Sequence, residues 1–369
     1  MDDPRAYWVG WNLVKGVGAV RFRALLAAFG DAQTAWQAAP EALRAAGLYE
    51  KQVANLVKVR SQGLMEKHWA QIQSAGIQVL TWDDETYPRR LKEIDQPPPV
   101  LYLRGALLPE DEWAVAIVGT RRVTAYGRSV TEDLAAILAR NGVTVISGLA
   151  RGVDSIAHQA ALNAGGRTMA VMGTGVDQIY PPENQRLAEK MLQQGALLSD
   201  YPLGTQPEGT NFPPRNRLIS GLSLAVAVIE AGQTSGALIT ATFAAEQGRE
   251  VFAVPGNFTA PQSQGTNRLI QDGATPLLNP QQVLEALNLT MVTEHRAARR
   301  ALPSDPVEKQ VYQVLSAEPL HVDEIRLRTE MPIEQVSATL ALMELKGMVR
   351  QVGGMNYVAV REQPLDYTV

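Results

Sequence analysis

Six short apolar runs constrain the fold of this chain more than any other feature. They are AVAIVG at 114–119, VTVISG at 143–148, TMAVMG at 168–173, ALLSDYP at 196–202, LAVAVIEA at 224–231 and EVFAVPG at 250–256. Their apolar residues are nearly continuous rather than alternating, so each run reads as a strand covered on both faces. Amphipathic stretches near 127–140, 153–164, 184–194, 214–220 and 235–247 predict helices between them. Strand and helix in alternation predict a mostly parallel, three-layer α/β domain over 105–290. NRLIQDGA, a short strand and a helix in NPQQVLEAL would close it.

The flanks read differently. Residues 1–95 carry apolar positions at helical intervals, such as Leu25, Leu26 and Phe29, and all six tryptophans lie at or before Trp113. A helical domain with its own core is expected, in which Trp8 and Trp11 are packing residues. The turn Gly16-Val17-Gly18 between two apolar pieces fits a helix-hairpin-helix, whose turn amides approach phosphate, and fits equally a tight turn in a small bundle. QPPPV at 96–100 marks a boundary, because consecutive prolines continue neither a helix nor a central strand. Beyond the α/β region, 291–306 reads as a linker or exposed helix. Residues 307–369 suggest three helices and a glycine-turned strand pair, a winged-helix-like module. Its third helix, PIEQVSATLALMELKG, has two glutamates and one lysine, which favours protein contact or packing over DNA reading.

Charge and cysteine content narrow the function classes. The net charge of −4 does not describe a generally basic nucleic-acid binder. From residue 304 onward there are ten acids and six bases, so residues 1–303 are balanced at twenty-eight of each. Any polyanion site is therefore a local concentration of cations. No apolar run approaches the roughly 20 residues of a spanning helix, and the start has no signal-peptide pattern. The absence of cysteine excludes disulfides and points to the cytoplasm. The four scattered histidines make no metal cluster, and no cofactor is expected.

Open parallel sheets bind ligands beyond the carboxyl ends of their strands. There the sequence places Gly119, Thr120 and Arg121, then Ser147 and Gly148 followed by Arg151, then Gly173 and Gly175. Small residues there admit backbone amides to an anion, and helix N-termini favour it. The fingerprints for dinucleotides, the phosphate loop with its lysine, and G-x-S-x-G are all missing. Asp154 and Glu230 could in principle form a general acid–base pair, and Glu230 equally fits a role accepting from adjacent loops or balancing the arginines. Arg121, Arg151, Arg215 and Arg217 all fall on predicted carboxyl-side loops, where guanidinium forks match phosphate oxygens. One or two of the four are expected to be paired internally, with Glu230, Asp154 or Asp177.

With IVGTR at 117–121, ISGLARGVDSIAH at 146–158, AVMGTGVDQIYPPEN at 170–184, FPPRNRLISGLS at 212–223, VIEAGQTSGALITATFAAEQGREVFAVPG at 228–256 and QGTNRLIQDGA at 264–274, the chain resembles the bacterial DNA-processing protein A family (DprA or Smf). The resemblance implies a Rossmann-like central domain that binds single-stranded DNA without catalysis, protects it, and loads the RecA recombinase during natural transformation. Single-strand-binding protein is an implied partner, and a homodimer is implied. Matched to the family, Arg121, Arg215 and Arg217 would line the strand pocket, with Gly119, Thr120, Ser147, Gly148, Gly173, Gly175, Arg151, Phe212 and Asn216 around it. Leu269 and Ile270 fall in the segment associated with dimerisation. Pro182 stands where relatives carry lysine, which removes one phosphate contact unless Arg186 or Lys190 supplies it. The runner-up is a nucleotide phosphoribohydrolase-like enzyme of the lysine-decarboxylase-like group, whose PGGxGTxxE pattern is absent here.

Overall fold

The computed structural model describes residues 3–289, 305–316, 318–345 and 348–359. Its internal contacts divide the chain into two compact units, residues 1–290 and 291–369.

The first unit is built on a nine-stranded sheet of order β1-β2-β6-β5-β4-β3-β7-β8-β9. The strands are β1 (Gln78–Thr81), β2 (Val100–Gly105), β3 (Ala114–Val118), β4 (Thr144–Ser147), β5 (Thr168–Val171), β6 (Ala196–Ser199), β7 (Ala225–Val228), β8 (Glu250–Ala253) and β9 (Thr275–Pro276). From β6 to β9 every neighbouring pair is parallel. β1 and β2 extend that sheet as antiparallel strands. All residues of β3 to β7 are buried, as the continuous apolar runs require. The intervening helices are Ala125–Arg140, Val153–Asn163, Gln185–Met191, Phe212–Gly221 and Gly236–Glu246. Their boundaries have local causes. Thr124 and Ser235 accept from backbone amides as N-caps, and Pro213 and Pro214 occupy the first turn of Phe212–Gly221, where a missing N–H costs nothing.

β1 and β2 were not expected. The prolines of QPPPV end the preceding segment, but Val100 to Leu103 then pair with β1 and Tyr102 to Gly105 with β6, so the sheet begins well before residue 105. The N-terminal helices, from Arg5–Asn12 to Leu64–Ser74, pack against this edge. Trp8, Trp11, Phe22 and Trp36 form their core, with Trp8 edge-on to Phe22 at 4.8 Å, and Val79, Val100 and Tyr102 of the sheet belong to the same cluster. Asn12 fixes the junction: it accepts from the Tyr102 hydroxyl at 2.9 Å and donates to the Asp200 carbonyl at 3.3 Å.

In the second unit, Asp305 caps the helix Pro306–Val314. Helices Val322–Thr329 and Ile333–Leu345 follow, with β10 (Leu320–His321), β11 (Val349–Gly353) and β12 (Asn356–Ala359) in the antiparallel order β10-β12-β11. Val311, Ile325, Val336, Leu340 and Met343 fill its core. This is a winged-helix arrangement. Apart from Asp305 and Pro306, the expected linker 291–306 lies outside the described residues.

Candidate functional site

The chain runs outward from β3 through β4 and β5 to β6, then returns to place β7 on the opposite side of β3. The carboxyl ends of β3 and β7 therefore flank a topological switch point, the usual location of a ligand crevice in such sheets. The two ends are joined directly, because the Thr120 amide donates to the Glu230 carbonyl at 2.7 Å. Glu230 is 4% exposed, and its carboxylate accepts from the Thr124 amide at 2.9 Å and from the Thr124 hydroxyl. Both oxygens thus hold the start of Ala125–Arg140, where a helix N-terminus favours negative charge. Gly127 leaves room for that carboxylate: a Cβ there would lie 2.5 Å from its carbon. The acid that an acid–base pair would need is committed to the scaffold.

The glycines of the expected rim are small for a different reason from the one the sequence suggested. A Cβ on Gly119 would meet Val153 Cγ2 at 2.6 Å, one on Gly148 would meet Arg215 Nη2 at 2.7 Å, and one on Gly173 would meet the Phe212 ring at 2.7 Å. On Gly175 it would meet the Pro202 carbonyl at 2.8 Å. Each gap is filled by the protein's own atoms rather than left open for a ligand. Ser147 is likewise interior, fully buried and donating to the Ile117 carbonyl at 2.6 Å.

The four arginines divide sharply. Arg215 is only 4% exposed; its Nη1 donates to the Gly148 carbonyl at 3.1 Å and to the Val171 carbonyl, and its Nε donates to Asn216 Oδ1 at 3.2 Å. It ties the ends of β4 and β5 to Phe212–Gly221 and does not reach the surface as a phosphate fork. Asp154, also buried, accepts from the amides of Gly148 at 3.1 Å and Ala150 at 3.3 Å. Burial raises the Asp154 carboxyl above its ordinary range, against the pull of Arg215 and those amides. Burial lowers Arg215 to about 10, against the pull of Asp154, so the guanidinium stays protonated at neutral pH. Asn216, through Nδ2, donates to the Gly236 carbonyl at 3.2 Å. Arg217 bonds Asp200 at 2.8 Å and donates to the Gln96 carbonyl, anchoring the helix to the proline segment. Arg151 is exposed but paired with Glu183.

Arg121 is the exception. It is exposed, no carboxylate among the described residues pairs with it, and its guanidinium carbon stands 5.9 Å from the Phe212 ring centre. Phe212 and Tyr180, both half-buried, lie 5.7 Å apart at an interplanar angle of 33°. One cation and two aromatic rings therefore come together on this face. Arg122, passed over in the sequence reading, is exposed beside Arg121, and its amide donates to the Thr120 hydroxyl at 3.1 Å. The doubled arginine of GTRR was the available signal. Pro182 is exposed in the short turn Pro182–Asn184, and Arg186 and Lys190 are exposed on Gln185–Met191. Leu269 and Ile270 are half-buried on Gln264–Gln271, Leu269 packing against the main core. Among the described residues no cluster suits a metal ion, and no helix is long and apolar enough to cross a membrane.

A Rossmann-like sheet with a switch-point crevice, helices at one edge and a winged helix in a separate unit define a three-part architecture. The chain belongs to the DNA recombination-mediator protein A family, whose model matches residues 78–288. Models of a DprA-like N-terminal HHH domain and a DprA winged-helix domain match 14–61 and 295–355. Protein Smf of Synechocystis is 37% identical over an alignment of 397 residues that covers 96% of this chain and 99% of that protein. The structure of DprA from Streptococcus pneumoniae superposes with a TM-score of 0.67 at 33% identity, covering 76% of this chain and 97% of that one. DprA from Helicobacter pylori, whose structure addresses its single-stranded DNA binding mode, gives 0.52 at 34% identity, covering 57% and 95%.

Proposed function

We propose that this protein binds single-stranded DNA with little sequence preference across the carboxyl-end face of its sheet. Arg121, supported by Arg122, contacts the phosphate backbone, while Phe212 and Tyr180 stack against unpaired bases. Arg215, Arg217 and Asn216 hold that face in shape from beneath it. The observation that carries this reading is the unpaired, exposed Arg121 beside the Phe212–Tyr180 pair. Stacking on aromatic side chains is sequence-tolerant and requires bases free of a duplex, and guanidinium–phosphate contacts carry no base information. The binding mode named for the Helicobacter pylori relative supports the same substrate. In the cell, the protein would act in the cytoplasm during natural transformation, protecting incoming strands and loading RecA where single-strand-binding protein is displaced. A homodimer through the helix carrying Leu269 and Ile270 would align two faces and raise affinity by effective concentration.

Fluorescence anisotropy with labelled single-stranded and duplex oligonucleotides tests the reading. Wild type should prefer the single strand, and Phe212→Ala should erode that preference by about 1–3 kcal/mol per lost stack. Equal affinity for both DNA forms in wild type would refute it.

A further inference from the structure

On the carboxyl-end face, beyond Arg121, two further aromatic rings stand in the open. Tyr126, in the first turn of Ala125–Arg140, is 52% exposed, and its hydroxyl donates to the Pro255 carbonyl at 3.2 Å, so the ring is tied from the β3 side to the end of β8. Phe258, three residues past Pro255, is 82% exposed, the highest value of any large apolar side chain among the described residues. Its loop is pinned on both sides. The Gly256 amide donates to Asn267 Oδ1 at 3.1 Å and Asn267 Nδ2 donates back to the Gly256 carbonyl at 2.9 Å, while Asn257 Oδ1 accepts from the Thr259 amide at 3.0 Å. The phenylalanine is therefore held outward by its loop. A single exposed phenylalanine means little on a protein surface, but the surroundings of this one select a ligand. Segments 119–126, 231–239 and 254–267, which follow β3, β7 and β8, contain Arg121 and Arg122 and no acidic residue. Helices Ala125–Arg140 and Gly236–Glu246 both begin here without an acid in the first turn, so their positive ends add to the same field.

We infer that Tyr126 and Phe258 form a second base-stacking subsite, which takes unpaired bases of the same DNA strand after it has passed Arg121. The inference rests on the reading of the Arg121–Phe212 face given above. The sheet order sets the geometry. Phe212 stands against Gly173 at the end of β5, and β4, β3 and β7 separate β5 from β8. Four strand spacings of about 4.8 Å put the two aromatic groups about 20 Å apart, within the length of strand that single-strand binders cover. Arg121 and Arg122, which follow β3, fall between them. Ring, cation and ring thus alternate along one line across the strand ends, the order in which a strand presents bases to the first ring pair, phosphates to the arginines and bases again to the second. An acidic protein segment would be drawn by the same field but has no flat groups to lay on two separate ring pairs. A duplex keeps its bases stacked inside and could use neither pair.

The test is anisotropy of a fluorescein-labelled oligothymidine titrated with the full-length protein, as wild type, Phe258→Ala, Phe258→Trp, Tyr126→Ala and Phe212→Ala. Phe258→Ala and Tyr126→Ala should each weaken binding by about fivefold or more, the low end for a lost base stack. Phe258→Trp should keep wild-type affinity, and its added indole emission should be quenched when unlabelled oligothymidine binds, which a ring merely packing within the protein would not show. Affinity of Phe258→Ala within about twofold of wild type, with Phe212→Ala clearly weakened, would overturn the second subsite and leave the first standing. No loss in any of the alanine variants would sink the reading of the whole face along with it. Sedimentation of wild type and Phe258→Ala separates the remaining alternative. Their masses should be equal, and a fall in mass that accompanies the loss of DNA affinity would make Phe258 a contact between copies of this chain instead.

Discussion

Arg121 and Arg215 stand equally far from the Phe212 ring, 5.9 Å each, yet one belongs to the surface and the other to the interior. Arg215 is enclosed by the ends of β4 and β5 and bonded to their carbonyls, whereas Arg121 stands beside the ring with no carboxylate partner among the described residues. Residues of one type, gathered on one end of a sheet, have divided: an inner layer sets the shape of the face and an outer rim stays open to solvent. The comparison teaches that a cluster of arginines is not a count of ligand contacts. A guanidinium enclosed by the protein and bonded to backbone carbonyls is not free to swing out as a fork for a phosphate.

The sharpest way to break this division is to remove the inner member. Arg215→Ala leaves Asp154 buried without its neighbouring cation and the Gly148 and Val171 carbonyls without their donor. A loss of about 3–5 kcal/mol is expected in chemical denaturation, as for other broken buried ion networks. A loss below about 1 kcal/mol would place Arg215 with the rim residues instead.

The inner layer should also respond to pH where the rim does not. His158 is fully buried, its ring paired with the Thr168 hydroxyl, and burial, then Arg215, lowers it to about 3. The Thr168 hydroxyl already donates to the Val145 carbonyl, so His158 Nδ1 carries the proton and the ring is neutral. Because this folded-state value lies below the unfolded one near 6.5, the unfolded chain binds more protons in between. The His158 contribution is therefore complete above about 6.5 and is lost as pH falls toward about 3, at roughly 1.4 kcal/mol per pH unit. Asp154 and Asp200, both raised by burial, work in the opposite direction. Comparing urea unfolding of wild type and His158→Gln between pH 7 and 5 isolates the histidine: the variant should lose less stability on acidification. An identical pH slope would mean that the ring is already accessible to protons.

The architecture was far more legible in sequence than the division between the layers. Runs such as AVAIVG and LAVAVIEA can be covered on both faces only inside a parallel sheet, and β3 and β7 start there within one residue, β3 ending one residue and β7 three residues before the run does. VLYLRG escaped notice because the prolines before it read as an end, although β2 begins immediately after them. At the site, position along the chain brought Arg121, Arg215, Arg217 and Phe212 to one end of the sheet, and it could not say which way each side chain turned. That depends on the packing of Phe212–Gly221, which buries Arg215 and leaves Phe212 half-open, with no local sequence signal. The glycines misled for a related reason. Repeated small residues at strand ends read as an opening for a ligand, whereas Gly148 and Gly173 are small to admit Arg215 and Phe212.

At the rim the expected stability change is the smallest. Arg121→Ala should alter unfolding free energy by no more than about 0.5 kcal/mol, since the side chain is exposed and unpaired. The most direct test of the central claim is therefore the salt dependence of single-stranded DNA binding by that variant. The plot of log K against log salt concentration should become shallower by about 0.7, the value of one released counterion on a single strand, with overall affinity reduced. An unchanged slope and affinity in a fully folded Arg121→Ala protein would contradict the account.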